Sequence, residues 1–343
     1  MDGPLTPAPA LSTDRVVLVT GALGCIGAWT VRELLVTGAT VVGFDSTNDT
    51  RRLRQVTPPE LVDRVRLVSG DVGDLTSIQD AIQPWGVDRI VHLAALQVPA
   101  CRSDPPRGAF VNVVGTANVF EAARRAGVRS VIYTSSAAVF DQPGGRIEAD
   151  AVPEPMTHYG VYKLADEGIA RAYWHEFGLS SIGIRPMTVY GAGRDRGLTS
   201  SPTKALLAAV LGCKYEIAFG GSTLLHYARD VGRALVNATD VQVDGAHVVN
   251  LNGTRATMLD FLTVTQQLTG PQAVGISISH RSLPFPDDLD ITGLEIIGPP
   301  PATSLHDGIA ETLEIFRSLD RDGSLRPGDH GLVVEGGMAR DVE

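Results

Sequence analysis

At 343 residues the chain can hold one large α/β domain, or such a domain with a smaller companion. A 43% hydrophobic share supplies a full core, and a net charge of -10 argues against nucleic acid as a partner, because polyanion binders present a basic face. No run of about 20 apolar residues appears, so no membrane partner is expected. Cys25, Cys101 and Cys213 form an odd set without metal-ligand spacing, which fits a reducing, cytoplasmic setting and no bound metal. Residues 1–13 are rich in Pro and Ala, lack a basic-then-apolar leader, and read as a flexible tail.

The first ordered stretch runs from Val16 to Asp45 as VVLVT, GALGCIG, AWTVRELLVTG and ATVVGFD. An apolar strand, a glycine loop, a helix and a second apolar strand ending in a carboxylate make a βαβ unit suited to a dinucleotide. Gly21 permits the sharp turn, Gly24 lets backbone approach a pyrophosphate, and Gly27 lets the helix press on the strand. The helix opens at Cys25 and Ile26, whose free N–H groups and dipole end face the phosphates. Asp45 accepts hydrogen bonds from the hydroxyls of an adenosine ribose, which favours NAD over NADP, although Arg51 and Arg52 nearby temper that preference. Cys25 reads as a small side chain filling the loop rather than as a redox switch.

A strand ending at Asp71 follows, then a helix over Leu75 to Gln83 broken by Trp85-Gly86, and a fourth strand in DRIVHLAA. Helical spacing covers Gly108 to Gly127 after Pro105-Pro106; VRSVIYTSS is the fifth strand, His158 to Phe177 a helix, and SSIGIRP the sixth strand. These apolar runs are continuous, as strands covered on both faces should be, and they predict an α/β doubly wound parallel sheet of the Rossmann kind. Beyond Tyr190 the rhythm changes. Helices are expected near Pro202 to Leu211, Asp230 to Thr239, Met258 to Leu268 and Leu305 to Leu319, with short strands at Tyr215 to Ala218, His247 to Leu251 and Gly275 to Ile278. The expected division is a dinucleotide domain of residues 14–190 plus about 226–252, and a smaller C-terminal substrate lobe of 191–225 plus about 253–320. Residues 321–343, rich in Gly and Asp, read as a second flexible tail.

The chemistry concentrates in two places. Tyr159 and Lys163 stand four apart on a helix and share a face. A phenol's ordinary pKa near ~10 is too high for a base at neutral pH, and a neighbouring ammonium stabilises the phenolate, so Tyr159 can exchange a hydroxyl proton while hydride moves. Tyr162 has no lysine at that offset. Tyr133-Thr134-Ser135-Ser136 ends the fifth strand, at the sheet edge where such folds bind ligands, and a hydroxyl there can align a substrate oxygen.

Together these residues resemble the extended short-chain dehydrogenase/reductase family, the NAD-dependent epimerases and dehydratases, over roughly Arg15 to Leu319. The resemblance implies Ser136, Tyr159 and Lys163 as the catalytic set, with Ser135 as the neighbouring candidate serine. It places Asp71-Val72 near the adenine, Leu93-Ala94-Ala95 along the cofactor, Asn112 beside the site, and Pro186 within RPMTVYG past the nicotinamide. Lys163 would also hold the nicotinamide ribose. A homodimer through Pro105 to Ala126 and His158 to Gly178 is implied as well, with Tyr173, Trp174 and Phe177 as contacts.

Departures from the family pattern narrow the chemistry. Dehydratases of the family carry an acidic pair where this chain has Ala137 and Ala138, which disfavours water loss. Nucleotide-sugar enzymes of the family often have an arginine where this chain has Thr223 and an asparagine where it has Thr188, so a smaller substrate is expected, with Arg194, Arg196 or Lys204 as stand-ins. Gln97, Thr188, Tyr190, Arg194 and His226 are candidate substrate contacts; His92 reads as core, and Asp166 and Glu167 as solvated helix residues. The reading is an NAD-dependent oxidoreductase that moves hydride at a secondary alcohol or carbonyl of a sugar, sugar acid or hydroxy acid. The alternatives are an NAD-dependent sugar epimerase and a non-catalytic NAD-sensing module.

Overall fold

The computed structural model describes residues 15–298 and 303–341, so the tail expected at residues 1–13 lies outside the described residues. Seven parallel strands form the main sheet: β1 (Val16–Thr20), β2 (Thr40–Asp45), β3 (Arg66–Ser69), β4 (Arg89–His92), β5 (Ser130–Thr134), β6 (Ser180–Arg185) and β7 (Ala246–Asn250). Their spatial order is β7-β6-β5-β4-β1-β2-β3. The winding reverses between β1 and β4, which opens a crevice at their carboxyl ends.

Register explains why the strands are apolar throughout. Val19, Val91, Ile132 and Ile182 stand side by side and point into one core, while Leu18, Val42, Ile90 and Val131 form the adjacent row and point into the other. Eight main helices complete the layers: α1 (Cys25–Val36), α2 (Leu75–Ile82), α3 (Gly115–Ala126), α4 (His158–Phe177), α5 (Ser201–Val210), α6 (Ala228–Asp240), α7 (Met258–Thr269) and α8 (Leu305–Arg321). Trp29 and Leu34 of α1 and Val231 and Leu235 of α6 fill the first core; Ile78 of α2 and Phe120 of α3 fill the second. Pro105–Ala109 runs into α3 through a π turn, Phe110–Val114, where a plain helix was expected. Such turns are frequent at functional sites.

The smaller lobe carries a three-stranded sheet of Thr188–Tyr190, Ser222–Tyr227 and Thr254–Thr257 with α5, α7 and α8. Leu206, Phe261 and Phe316 from those helices belong to the same apolar cluster as Trp29 and Val19. One core therefore underlies both parts and holds the lobe against the sheet.

The flexible end expected from residue 321 onward is instead ordered to Asp341. Leu332–Glu335 and Met338–Asp341 pair as an antiparallel hairpin. Gly336 and Gly337, with φ of 56° and 78°, supply the two left-handed residues that a tight hairpin turn requires. The glycines that read as disorder are the turn itself. Leu332 and Ala339 are buried, the Ala339 N–H donates to the Lys214 carbonyl at 2.7 Å, and the Tyr215 hydroxyl donates to Asp341 at 2.8 Å. Burying one leucine stabilises by about 2 kcal/mol, so truncation after Asp322 should lower Tm by roughly 5 °C in a thermal melt. An unchanged Tm would show that the hairpin contributes nothing to the lobe.

Candidate active site

The crevice between β1 and β4 is a groove of about 530 Å³, a size suited to a large cofactor. Its floor is backbone pressed on backbone. Gly21 has a φ of 68°, and a Cβ there would stand 2.7 Å from the Ala94 nitrogen. A Cβ on Gly27 would stand 2.0 Å from the Gly21 carbonyl oxygen, so α1 can start only where both residues are glycine. Gly24 is the N-cap of α1 and offers no capping side chain, which leaves the first N–H groups of the helix for an anion. Asp45 accepts from the Leu23 N–H at 3.0 Å and the Thr47 N–H at 3.1 Å, and its carboxylate borders the groove.

Gly21, Gly24, Cys25, Ile26, Gly27, Asp45, Asp71, Val72, Leu93, Ala94, Ala95, Tyr159, Lys163 and Pro186 all line this groove. Asn112 does not. It is fully buried in the π turn, accepts from the Leu96 N–H at 2.7 Å and donates to the Leu96 carbonyl at 3.0 Å. It therefore fixes the wall of the groove rather than touching what lies inside. Neither nearby arginine is free for a 2′-phosphate. Arg51 is held by Asp49 and Asp329, and Arg52 makes two 2.9 Å bonds to Asp195. Burial pushes the Cys25 thiol up to about 12, which makes it an inert filler.

The two serines that the sequence leaves open have different surroundings. Ser135 is buried, and its hydroxyl donates to Glu167 at 2.5 Å. Ser136 caps the short turn Ala137–Val139 and faces a second, smaller cavity of about 50 Å³ that also touches Tyr159, Gln97, Arg194 and Phe285. Tyr159 thus stands in the wall shared by the groove and the second cavity. Gly160 makes this placement feasible: a Cβ there would lie 2.2 Å from the Ala138 carbonyl oxygen, so the start of α4 sits directly on the Ser136 turn. Thr157 caps α4 by accepting from the Gly160 N–H at 3.1 Å, and the Tyr162 hydroxyl donates to the Pro105 carbonyl at 2.9 Å, away from the chemistry. The Lys163 ammonium, one helical turn on, donates to the Thr134 carbonyl at 2.9 Å.

Several expectations need correction. Tyr190 and His226 lie in a separate small cavity with Tyr227 and Asn252. His226 is buried, held by the Asn252 carbonyl, and lowered by burial to about 4, so it is a neutral structural residue. Thr188 is fully buried and shares a 2.8 Å hydrogen bond with Thr223, whose position therefore carries no grip on an anion. Of the candidate substrate contacts, Gln97 and Arg194 line the second cavity, and Ser135 lines the groove with its hydroxyl already used. His92 is core, bridging Thr20 and Thr116. Asp166 and Glu167 are buried, not solvated: Asp166 meets the Lys163 ammonium at 3.1 Å, and Glu167 takes Arg185 on both oxygens at 2.7 and 2.6 Å. Their spacing of three and four from Lys163 was the available clue, since those offsets share a helix face.

Glycine loop, Asp45 and the Ser136, Tyr159 and Lys163 set define a dinucleotide-dependent enzyme of the Rossmann class. Comparison with known proteins extends this. The family described as NAD dependent epimerase/dehydratase matches residues 17–251. A UDP-glucose 4-epimerase of Mycolicibacterium smegmatis is 33% identical over 322 residues, covering 88% of this chain and 98% of the relative. Among solved structures, MoeE5 in complex with UDP-glucose and NAD is 29% identical with a TM-score of 0.74, covering 88% of this chain and 98% of its own. The UDP-glucose 4-epimerase of Brucella ovis in complex with NAD shares the fold, with a TM-score of 0.75 at 24% identity and coverage of 88% and 98%. The chain belongs to the NAD-dependent epimerase/dehydratase family, an enzyme of the extended short-chain dehydrogenase/reductase type that uses NAD. Among the described residues no helix is long and apolar enough to cross a membrane.

Alanine at each serine separates the two roles. Ser136→Ala should lower kcat about 100-fold with little change in Tm, because Ser136 faces the cavity that Tyr159 shares. Ser135→Ala should instead cost about 1–2 kcal/mol of stability, read by denaturant unfolding, with kcat within a few-fold of wild type. The reverse pattern would exchange the assignments.

Proposed function

We propose that the enzyme is an NAD-retaining epimerase that inverts one hydroxyl-bearing carbon of a sugar carried on a nucleoside diphosphate. The observation that carries this reading is the position of Tyr159 between the groove and the second cavity, whose lining holds no carboxylate and no imidazole. Inversion needs one group that takes a hydroxyl proton and returns it. Water loss needs a further acid and base, and Ala137 and Ala138 stand where they would be. NAD held by the glycine loop and Asp45 would supply a hydride acceptor that can return the hydride. Tyr159 takes the proton, Lys163 stabilises the phenolate, and Ser136 donates to the substrate oxygen.

Retention of the cofactor is what separates inversion from net oxidation, and two contacts support it. The segment of residues 193–197 from the smaller lobe lines the groove beside the glycine loop. Asp195 ties it to Arg52, which also donates to the Leu23 carbonyl at 3.3 Å, and the Trp29 indole donates to the Ala192 carbonyl at 3.0 Å. These bonds strap the smaller lobe to the glycine-loop side of the groove. The relatives' UDP-sugar chemistry supports the nucleotide, while the Thr188–Thr223 pair leaves its diphosphate to Arg194 and Arg196. That same pair favours a second reading, net oxidation of a small hydroxylated acid without a nucleotide.

The test is to incubate the purified enzyme with UDP-glucose and UDP-glucuronate, and separately with free sugar acids and hydroxy acids. Conversion of a UDP-sugar to its 4-epimer by NMR, with no net change at 340 nm, is expected. Stoichiometric NADH from a free acid would establish the second reading instead. Tyr159→Phe should lose about 10²- to 10⁴-fold in kcat and still bind NAD. Wild type should carry NAD through gel filtration, and Asp195→Asn should lose it.

A homodimer through α3 and α4 is part of this proposal, because Val114, Val161 and Phe177 are exposed on or beside those helices. Sedimentation equilibrium should give twice the chain mass, and a monomer at micromolar concentration would remove that part.

A further inference from the structure

We propose that Asp166 is a positioning residue that aims the Lys163 ammonium at the Tyr159 phenol and sets the pH window in which the pair works. This rests on the reading of Tyr159 and Lys163 as the working pair, and it adds a third ionisable group that the reading does not contain. Tyr159, Lys163 and Asp166 fall at positions i, i+4 and i+7 of α4, on one face. Lys163 is 3% exposed and Asp166 1%. An ammonium has three N–H donors. One goes to the Thr134 carbonyl at 2.9 Å and one to Asp166 Oδ2 at 3.1 Å, so the third is left for the groove that Lys163 lines. Removing Asp166 would free the head group to turn.

The surroundings leave Asp166 as the anion in direct contact with this lysine. At the end of β1, the Thr20 hydroxyl accepts from the Leu93 and Ala94 N–H groups at 3.2 and 3.3 Å, so its own hydrogen goes to Nδ1 of His92 on β4 at 2.7 Å. His92 then donates from Nε2 to the Thr116 hydroxyl at 3.0 Å, and Thr116 donates to the Asn112 carbonyl at 2.5 Å. His92, lowered by burial to about 3, is neutral. The Thr116 hydroxyl donates to the Asn112 carbonyl and also lies against the Asp166 carboxylate, whose Oδ1 has no well-formed hydrogen bond. Cys101, from Val98–Ser103, is raised by burial and stays a thiol. On the same helix, Glu167 is neutralised by Arg185 of β6, and Tyr133 of β5 is raised by burial well above the ordinary phenol value.

The sign of the effect follows. Burial works against the lysine charge, and Asp166, then Tyr159, outweighs it, so Lys163 is held above its ordinary value. Asp166 is itself raised by burial, against the pull of Lys163, to about 6. Above that pH the carboxylate cancels part of the ammonium's field at the phenol; below it the field is felt in full. An uncharged side chain at 166 therefore favours the phenolate and removes the largest opposition to the burial of the lysine charge. Both limbs of the pH profile move to lower pH.

The measurement is a 295 nm difference titration of NAD-loaded enzyme, with Tyr159→Phe as the reference, on wild type and Asp166→Asn. The amide keeps an acceptor for Lys163 and removes the charge. The midpoint assigned to Tyr159 should fall by about one unit in Asp166→Asn, and the pH profile of kcat/KM for UDP-glucose should move the same way on both limbs. An unmoved midpoint, with only a lower kcat, would overturn the proposal. Asp166→Ser replaces the amide variant if that fails to fold. The titration needs no turnover, so failure to convert any UDP-sugar would count against the proposed function alone.

Discussion

A helix that buries Lys163, Asp166 and Glu167 can adopt only one rotation against this sheet. Each charge needs a specific partner: Thr134 and Asp166 for the lysine, Arg185 and Ser135 for the glutamate. Turning α4 by a single residue would strand an unpaired charge in the interior, at a cost of roughly 3–5 kcal/mol. The ion pairs need not add net stability to exert this control, since a hydrophobic face could bury as much surface. What they select is orientation, and orientation puts Tyr159 into the shared wall. Gly160 then sets depth, because without a side chain the helix start descends onto the Ser136 turn.

The same logic of close approach governs the other half of the site. Gly21 against Ala94 and Gly27 against Gly21 bring β1, β4 and α1 together until the helix N-terminus opens on the groove. The glycines that allow these contacts lie close together in sequence and leave a readable spacing. That is why the doubly wound parallel sheet and the glycine-built floor of the groove were legible before any coordinates. The apolar strands were legible for a related reason: a sheet covered on both faces needs both rows of side chains apolar.

What escaped the sequence depends on partners far along the chain. Asp166 and Glu167 look like solvated helix residues until β5 and β6 are seen beside them. Ser135 and Ser136 are chemically identical, and only Glu167, 32 residues away, takes one out of play. Asn112 was expected beside the site and sits one layer behind it, because its amide matches the two backbone groups of Leu96. The end of the chain misled through composition, since two adjacent glycines read as disorder when unpaired and as a turn when flanked by strands. Tyr190 and His226 were drawn to the site by proximity in sequence to motif residues, but β-strand direction carries them into the smaller lobe's interior.

The groove and the second cavity have unequal demands, and the chain meets them with different materials. A dinucleotide is the same in every turnover, so its cradle is built from backbone and clamped by a charged strap between Arg52 and Asp195. A substrate must enter and leave, and the second cavity is bounded largely by small or flexible groups, Ala137, Ala138, Met187, Thr199 and the exposed Leu198, with Arg194 as its charged member. One tyrosine serves both compartments. An enzyme that keeps its oxidant and returns its proton needs no further titratable group on the substrate side. Among the described residues the second cavity's lining holds no acid and no imidazole, which suits the proposed inversion, where Tyr159 alone would take and return the proton.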